Sequence, residues 1–506
     1  MKEVILGIDI GTSSIKCNAF NLQGEELLTH TSQYDLIFPQ PGSMEIDTDI
    51  LWGSVVRSIK QINELNSNKY DIVAVGICAM MIMPVLLDKN NDVVRPVIHW
   101  LDERLNRQFY KIKNAGKDKI FFQYSGSGLT GESTINALFW ISENEPEVYK
   151  KISKFIMIKD YIRYKLTDHI MTDFGDASGS LMLDTRKWEW SIDLISTLGL
   201  RYGLFPPLAR PTDIGGYITK EASKITGLKE GTPVAVCSGD GISTIFGLGI
   251  YKNGQLGITV GSAGVIGAST NKFPHDEKQN RIYVFCHPCA DRWFSMLSTA
   301  ASGEVLRWYK DNILNSKNLT FNELDLEAAK APPGTESLIF LPYILGSRNP
   351  YSNPNATGVF LGLRHKHNQS HFTRAVLEGI SFELLDLLET QREILGKSGI
   401  VTQEVRLSGG IVKSSFWSQL LSDILQQDLI ITKVKELGSL GVSITTALAI
   451  GVYGDIETAV KMMIKEHKVI IHDESMKQIY HNKFSIFKDI YNTFKDKFDL
   501  LNAQKL

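Results

Sequence analysis

The sequence predicts an α/β protein made of two domains of like design. Three observations carry this. At 506 residues the chain is too long for one hydrophobic core. Short apolar runs that read as buried strands alternate with stretches of helical periodicity. A strand, a turn of small residues and a second strand stand at the N-terminus, and the pattern returns half a chain later.

Composition narrows the classes. Net charge is -2, from 54 basic and 56 acidic residues that are interspersed. No basic stripe points to nucleic acid, and no polybasic segment points to an anionic membrane. No apolar run reaches the ~18 residues of a membrane helix. Lys2 and Glu3 lead straight into strand-like sequence, so no secretory leader is expected. Five cysteines are an odd, sparse set that suits a reducing cytoplasm. Cys286-His287-Pro288-Cys289 has no second pair to complete a zinc site and reads as ordinary thiols.

In chain order, Val4 to Ile8 is an apolar run that delivers Asp9 to a turn. Gly11 reverses the backbone, Thr12, Ser13 and Ser14 crowd hydroxyls and N–H groups at the tip, and Ile15 to Phe20 climbs away carrying Lys16. Such a tip suits a polyphosphate held with a divalent metal: donors and Lys16 meet phosphate oxygens, and Asp9 faces the metal's water shell. An ordinary hairpin with a polar turn is the plainer reading. Glu25 to Leu36 continues as strand. Asp47 or Thr48 caps a helix through about Leu65. Asp71 to Cys78 is a buried strand and Val85 to Leu87 another, with the Met-rich loop Ala79 to Pro84 between them. Pro96 to Trp100 is a strand ending in Trp100-Leu101-Asp102-Glu103-Arg104. Polar residues at a strand's end are where α/β folds place sites, although a helix cap with an ion pair explains Asp102 and Arg104 equally.

From about Ser133 to Asp193 the chain reads as largely helical. Thr232 to Val236 is a strand running into Cys237-Ser238-Gly239-Asp240-Gly241 and a helix, so Asp240 stands at a helix N-terminus, where acids also serve as caps. Gly257 to Gly267 then echoes the opening hairpin, with Gly261, Ser262 and Ala263 at its turn and no carboxylate. The domain boundary is expected near Gly249 to Gly254, giving domains 1–249 and 250–506. Later come helices from Gly303, Gln369 and Ser415, and strands Leu338 to Leu341 and Val405 to Leu407. Gly409-Gly410 and Gly438 with Gly441 stand where backbone can approach a flat or anionic ligand. The tail from Gln478 is an amphipathic helix whose aromatic stripe reads as a packing face. A P-loop is excluded because Gln391 stands where its first glycine belongs, and no G-x-G-x-x-G follows the first strand.

These residues resemble the FGGY carbohydrate kinases over nearly the whole chain. The most specific stretch is Gly358-Val359-Phe360-Leu361-Gly362-Leu363 followed by His371 to Glu378. Thr134 to Trp140 matches the family's other signature except at Ala137, where Lys is usual. The resemblance implies two ribonuclease H-like domains (the actin, sugar kinase and heat-shock chaperone fold) with an interdomain cleft. It implies ATP and Mg²⁺ as cofactors and a small sugar or polyol as partner, in the cytoplasm. It leaves the oligomeric state open, a homodimer being one arrangement it permits. By motif, Asp240 becomes the catalytic base and Asp9 the residue that positions Mg²⁺ through water. Gly11, Thr12, Ser13 and Lys16 become the first phosphate hairpin, and Gly261, Ser262 and Ala263 the second. Gly409, Gly410, Gly438 and Gly441 become the adenosine pocket. Met81, Ile82, Trp100, Asp102, Asp240 and Gly241 become the sugar side.

Among family members the chain looks most like xylulose and gluconate kinases. Ile82 stands where both groups usually show His, and Gly241 where xylulose kinases usually show Asn. Loss of these hydrogen-bonding groups should shift substrate preference. Two rivals remain: a non-catalytic relative or ATP-dependent scaffold, and a sugar sensor without turnover.

Overall fold

The computed structural model describes residues 1–278 and 281–503. Two mixed sheets organise them. The first comprises β1 (Lys2–Ile10), β2 (Ser14–Asn21), β3 (Glu26–Gln33), β4 (Tyr70–Ala79), β5 (Ile214–Tyr217) and β6 (Pro233–Ala235), in the order β5-β6-β4-β1-β2-β3. The second comprises β7 (Gln255–Val260), β8 (Gly264–Thr270), β9 (Tyr283–Cys286), β10 (Trp293–Ser298), β11 (Glu404–Gly409), β12 (Leu429–Thr432) and β13 (Glu466–Ile470), in the order β9-β10-β8-β7-β11-β12-β13.

The two sheets repeat one plan. Strands β1, β2 and β3 form an antiparallel meander, β4 runs parallel to β1, and β6 runs parallel to β4. Strands β7, β8 and β10 form the same meander, β11 runs parallel to β7, and β12 runs parallel to β11. The expectation of like domains follows from local sequence and the observed topology agrees with it. Central strands are apolar on both faces, as burial on both sides requires: Val4 to Ile8 is buried throughout, and Gln255 to Ile258 likewise.

Two helices cross between the halves. The helix α1 (Asp240–Gly247) follows the first sheet in sequence but sets Ile245 against Gly257 and Gly267 of the second. The helix α2 (Leu437–Ala449) follows the second sheet but lies on the first, where a Cβ at Gly7 would sit 2.5 Å from the Ser439 carbonyl. They meet through glycine: a Cβ at Gly441 would be 1.9 Å from the Ser243 carbonyl and one at Gly247 2.1 Å from that of Leu437.

Most anticipated elements are present. Asp47 caps the helix Thr48–Asn66, accepting N–H bonds from Asp49 and Ile50. The tail forms the helix Lys477–Ala503, and its Tyr480, Phe484, Phe487 and Tyr491 are buried against the second core. The region 133–193 differs from the largely helical expectation. It holds four short helices, but strand pairs Lys154–Met157 with Pro84–Leu87, and Leu183–Asp184 with Glu189–Trp190, interrupt them. The first pair joins segments far apart in sequence, which local periodicity does not report, and the second is a short local hairpin of two residues a side.

Candidate active site

The two hairpin tips are held in similar ways. At the first, Gly11 N–H donates to the Ser14 carbonyl at 2.8 Å. The Tyr34 hydroxyl reaches the carbonyls of Gly11 and Thr12 at 2.8 and 2.9 Å. At the second, Gly261 N–H donates to the Ala263 carbonyl at 2.9 Å, and the N–H groups of Ser302 and Glu304 donate to the Ser262 carbonyl at 2.7 and 3.1 Å. The tip carbonyls are thus occupied on the protein side. Among the described residues, no hydrogen bond engages the N–H groups of Thr12, Ser13, Ser262 or Ala263. Unpaired turn N–H groups form an anion-binding concavity.

Asp9 lies near the end of β1, opposite Cys78 of β4, whose thiol donates to Oδ1 at 3.5 Å. A Cβ at Gly438 would sit 2.5 Å from Asp9 Oδ2, so only glycine leaves the carboxylate its place at the N-terminus of α2. Burial pushes the Asp9 pKa up, while the nearby Lys16 opposes the shift. Lys16 itself pairs with Glu436 at 2.7 Å and keeps 39% of its side chain exposed.

Asp240 is the first residue of α1. Its Oδ1 accepts the Gly241 N–H at 2.7 Å, and the Met81 backbone also bonds the carboxylate. Burial, followed by the charge of Asp9, pushes its pKa up to about 7 despite those bonds. The turn that carries it is anchored from below. Ser238 Oγ donates to Asp173 at 2.7 Å, and Asp173 pairs with the buried Lys159 at 2.8 Å. Lys159 also pairs with Asp160 at 2.6 Å, and Arg163 holds Asp160 at 2.8 Å. Asp176 lies in the same buried cluster, 3.7 Å from Lys159, with neither oxygen hydrogen-bonded; burial raises its pKa well above the carboxylate range.

Gly409 has φ +92°, and a Cβ there would be 2.4 Å from the Val260 carbonyl, so it needs glycine on both counts. Gly409 and Gly410 are exposed beside the second hairpin, as an adenosine surface requires. Gly438 and Gly441 depart from that expectation. Both are buried, the first under the Asp9 carboxylate and the second in the helix crossing, because spacing of glycines at a helix start does not distinguish ligand approach from helix approach.

On the other side of the cleft, Trp100 is half-buried with the Arg348 guanidinium 5.7 Å from its ring centre. Asp102 is buried and its carboxylate is engaged by protein donors. Its oxygens accept the Met44 N–H at 2.7 Å and the Arg104 N–H, Nε and Nη2 at 2.9, 2.8 and 2.6 Å, so the cap-and-ion-pair reading holds there. Met81, Ile82 and Gly241 lie together beside Asp240, each partly exposed. Sequence reasoning passed over Cys78, Met296, Tyr34 and Arg348. For Cys78 a signal existed, since it ends the strand parallel to β1; for the others no local pattern marks them.

Two repeated sheets, two open hairpins and two carboxylates between them define a phosphotransferase cleft of the actin-like ATPase fold. Residues 4–247 match the N-terminal domain, and residues 258–450 the C-terminal domain, of the FGGY family of carbohydrate kinases. The xylulose kinase of Lactococcus lactis is 30% identical over 493 residues, covering 96% of each chain. The gluconokinase of Bacillus licheniformis is 26% identical, covering 100% of this chain and 99% of the relative. The crystal structure of a ligand-bound xylulose kinase from Lactobacillus acidophilus shares the fold, with a TM-score of 0.92, 24% identity and coverage of 99% of this chain and 100% of that one. The chain belongs to the FGGY family of carbohydrate kinases.

Proposed function

We propose that this kinase transfers the γ-phosphoryl group of ATP to a hydroxyl of a small sugar or polyol near xylulose, with Asp240 as general base. The observation that carries the reading is the buried Asp240 carboxylate, held at the start of α1 by backbone bonds from Gly241 and Met81 and near enough to Asp9 for their charges to interact. Phosphoryl transfer asks the protein mainly for positioning and charge neutralisation. The open N–H groups of Thr12, Ser13, Ser262 and Ala263 hold phosphate oxygens, and Lys16 exchanges Glu436 for phosphate. Gly409 and Gly410 offer a surface for adenosine. As the hydroxyl attacks, its proton passes to Asp240.

The residues fit Mg²⁺ held through water. Asp9 offers one carboxylate with Oδ2 uncommitted to any hydrogen bond, and no cluster of three ligating side chains occurs among the described residues. Mg²⁺ characteristically keeps several waters and is bound by one or two carboxylates plus substrate phosphates. When bound there it would neutralise charge on the transferring phosphates. A cytoplasmic location goes with this reading, because ATP and reduced thiols occur together there and all five cysteines are unpaired. A sugar acid is the second acceptor class we propose: Arg348 over Trp100 offers a cation at the mouth of the cleft, and gluconokinases are among the relatives.

The test is ADP release in the presence of ATP, Mg²⁺ and a panel of ketoses, polyols and aldonates. Acceptor-dependent release is expected, lost in Asp240→Asn with ATP binding nearly unchanged. Hydrolysis indifferent to every acceptor, or sugar binding by calorimetry without ADP release, would overturn the reading.

A further inference from the structure

Ile82 has φ +65°, a left-handed backbone that suits Gly, Asn, Asp or His and strains a β-branched residue. Strain of this kind persists where surrounding structure enforces it and concentrates at functional sites. Here Thr134 Oγ1 donates to the Ile82 carbonyl at 2.7 Å and fixes the loop. The side chain is set among alkyl and thioether groups. A Cβ built at Gly179 would meet Ile82 Cγ2 at 3.0 Å, Met81 Cε at 3.2 Å and Phe285 Cε1 at 3.4 Å.

This group reaches the reacting end of the cleft. The backbone of Met81 bonds Asp240, and its side chain crosses the turn that carries the base. A Cβ at Gly239 would be 2.2 Å from Met81 Cγ, and one at Gly241 would be 3.7 Å from Met81 Sδ and 3.6 Å from Met296 Cε. Met81, Ile82 and Phe285 are partly exposed, so they present a surface to the cleft. None of these side chains can donate a hydrogen bond, and thioether sulfur accepts only weakly. A sugar hydroxyl pressed against them loses its water and finds no partner. A methyl or methylene loses nothing and gains burial.

We propose that Met81, Ile82, Met296 and Phe285 select an acceptor that sets a methyl or methylene against this wall while its reacting hydroxyl meets Asp240, a deoxy sugar or deoxypolyol rather than a fully hydroxylated one. This rests on the kinase reading above and specifies its substrate class. A uniformly polar pocket would require donors that this wall lacks.

The experiment compares acceptor pairs that differ by one hydroxyl: D-xylulose with 1-deoxy-D-xylulose, D-ribulose with 1-deoxy-D-ribulose, and ketohexoses with their 6-deoxy counterparts. The readout is kcat/KM from ADP release. The deoxy member of at least one pair is expected to lead by about 10- to 100-fold, the range an apolar pocket achieves against an added hydroxyl. Parents that equal or surpass their deoxy partners in every pair would overturn the proposal while leaving the kinase reading intact. Failure of every acceptor to release ADP would overturn both. Ile82→His, whose new side chain adopts the left-handed backbone more readily, is expected to shrink the deoxy preference at least tenfold. An unchanged preference in that variant would also overturn the role given to Ile82.

Discussion

As the base proposed above, Asp240 would take a proton near neutral pH, where an ordinary aspartate is a weak base. Burial and the charge of Asp9 push its pKa up to about 7. In the free enzyme, kcat/KM for the sugar should therefore fall about tenfold per pH unit below 7 and level off above it. A flat profile from pH 5 to 8 would exclude Asp240 as the base. The same shift acts on stability. Between the unfolded value near 4 and about 7, the folded chain keeps a proton that the unfolded chain has released. Stability contributed by this site is thus fully present below pH 4, declines as pH rises to 7 and is constant above. Asp240→Asn removes the decline, so the variant should lose turnover by about 10²–10⁴-fold yet melt higher than wild type at pH 8, with a smaller gap at pH 5. A destabilised variant would mean that the side chain serves packing instead. Below the turn, Lys159→Met would leave Asp160 and Asp173 buried without their shared cation. Breaking such a pair costs about 3–5 kcal/mol, readable by urea denaturation. The sequence sets Asp9 near the end of a strand before a turn and Asp240 at a helix start after a strand, where a cap is equally at home, so the resemblance rather than the spacing singled out Asp240. Asp102 has the same sequence context, and only its four donors, one from distant Met44, reveal that it faces inward.

Among the elements, hairpins and long helices were legible because their signals are local: a cap at Asp47, a glycine at a turn, an aromatic stripe along the tail. The crossing of α1 and α2 was not, since it joins residues two hundred positions apart and is written only in glycines that also suit a ligand site. The two glycines of α2 now separate by experiment. Gly441→Ala would drive a Cβ into the Ser243 carbonyl, backbone that cannot yield as a flexible side chain would. The expected outcome is a lower melting temperature, with loss of activity following from misplacement of Asp240. Gly438→Ala instead meets the Asp9 carboxylate, which can swing away. That variant should fold normally and show a raised Mg²⁺ requirement, seen as at least a tenfold shift in the metal titration of activity. Equal melting losses in the two variants would show that Gly438 acts only in packing.

At the scale of the whole molecule, duplication of one sheet plan gives each half a hairpin in the same place in its sheet. The halves also touch across the mouth of the cleft, through the stretch from Gly346 to Gly358, rich in glycine, proline and asparagine. Arg348 of that loop lies 3.8 Å from Glu132 and 5.7 Å from the Trp100 ring centre, both on the first half. These contacts are at the long end of their range, so a small approach of the halves strengthens both. Closure excludes water, which otherwise competes with the sugar for the phosphoryl group. Arg348→Ala removes the cation from a partly exposed position and should leave folding intact. Exposed ion pairs and cation–π contacts are each worth up to about 1 kcal/mol, so loss of both should raise the sugar KM by up to about thirtyfold. The more telling readout is coupling. With the latch weakened, ADP should form in excess of sugar phosphate, whereas wild type should produce the two in equal amounts. A higher KM with coupling still one to one would assign Arg348 to sugar contact rather than to closure.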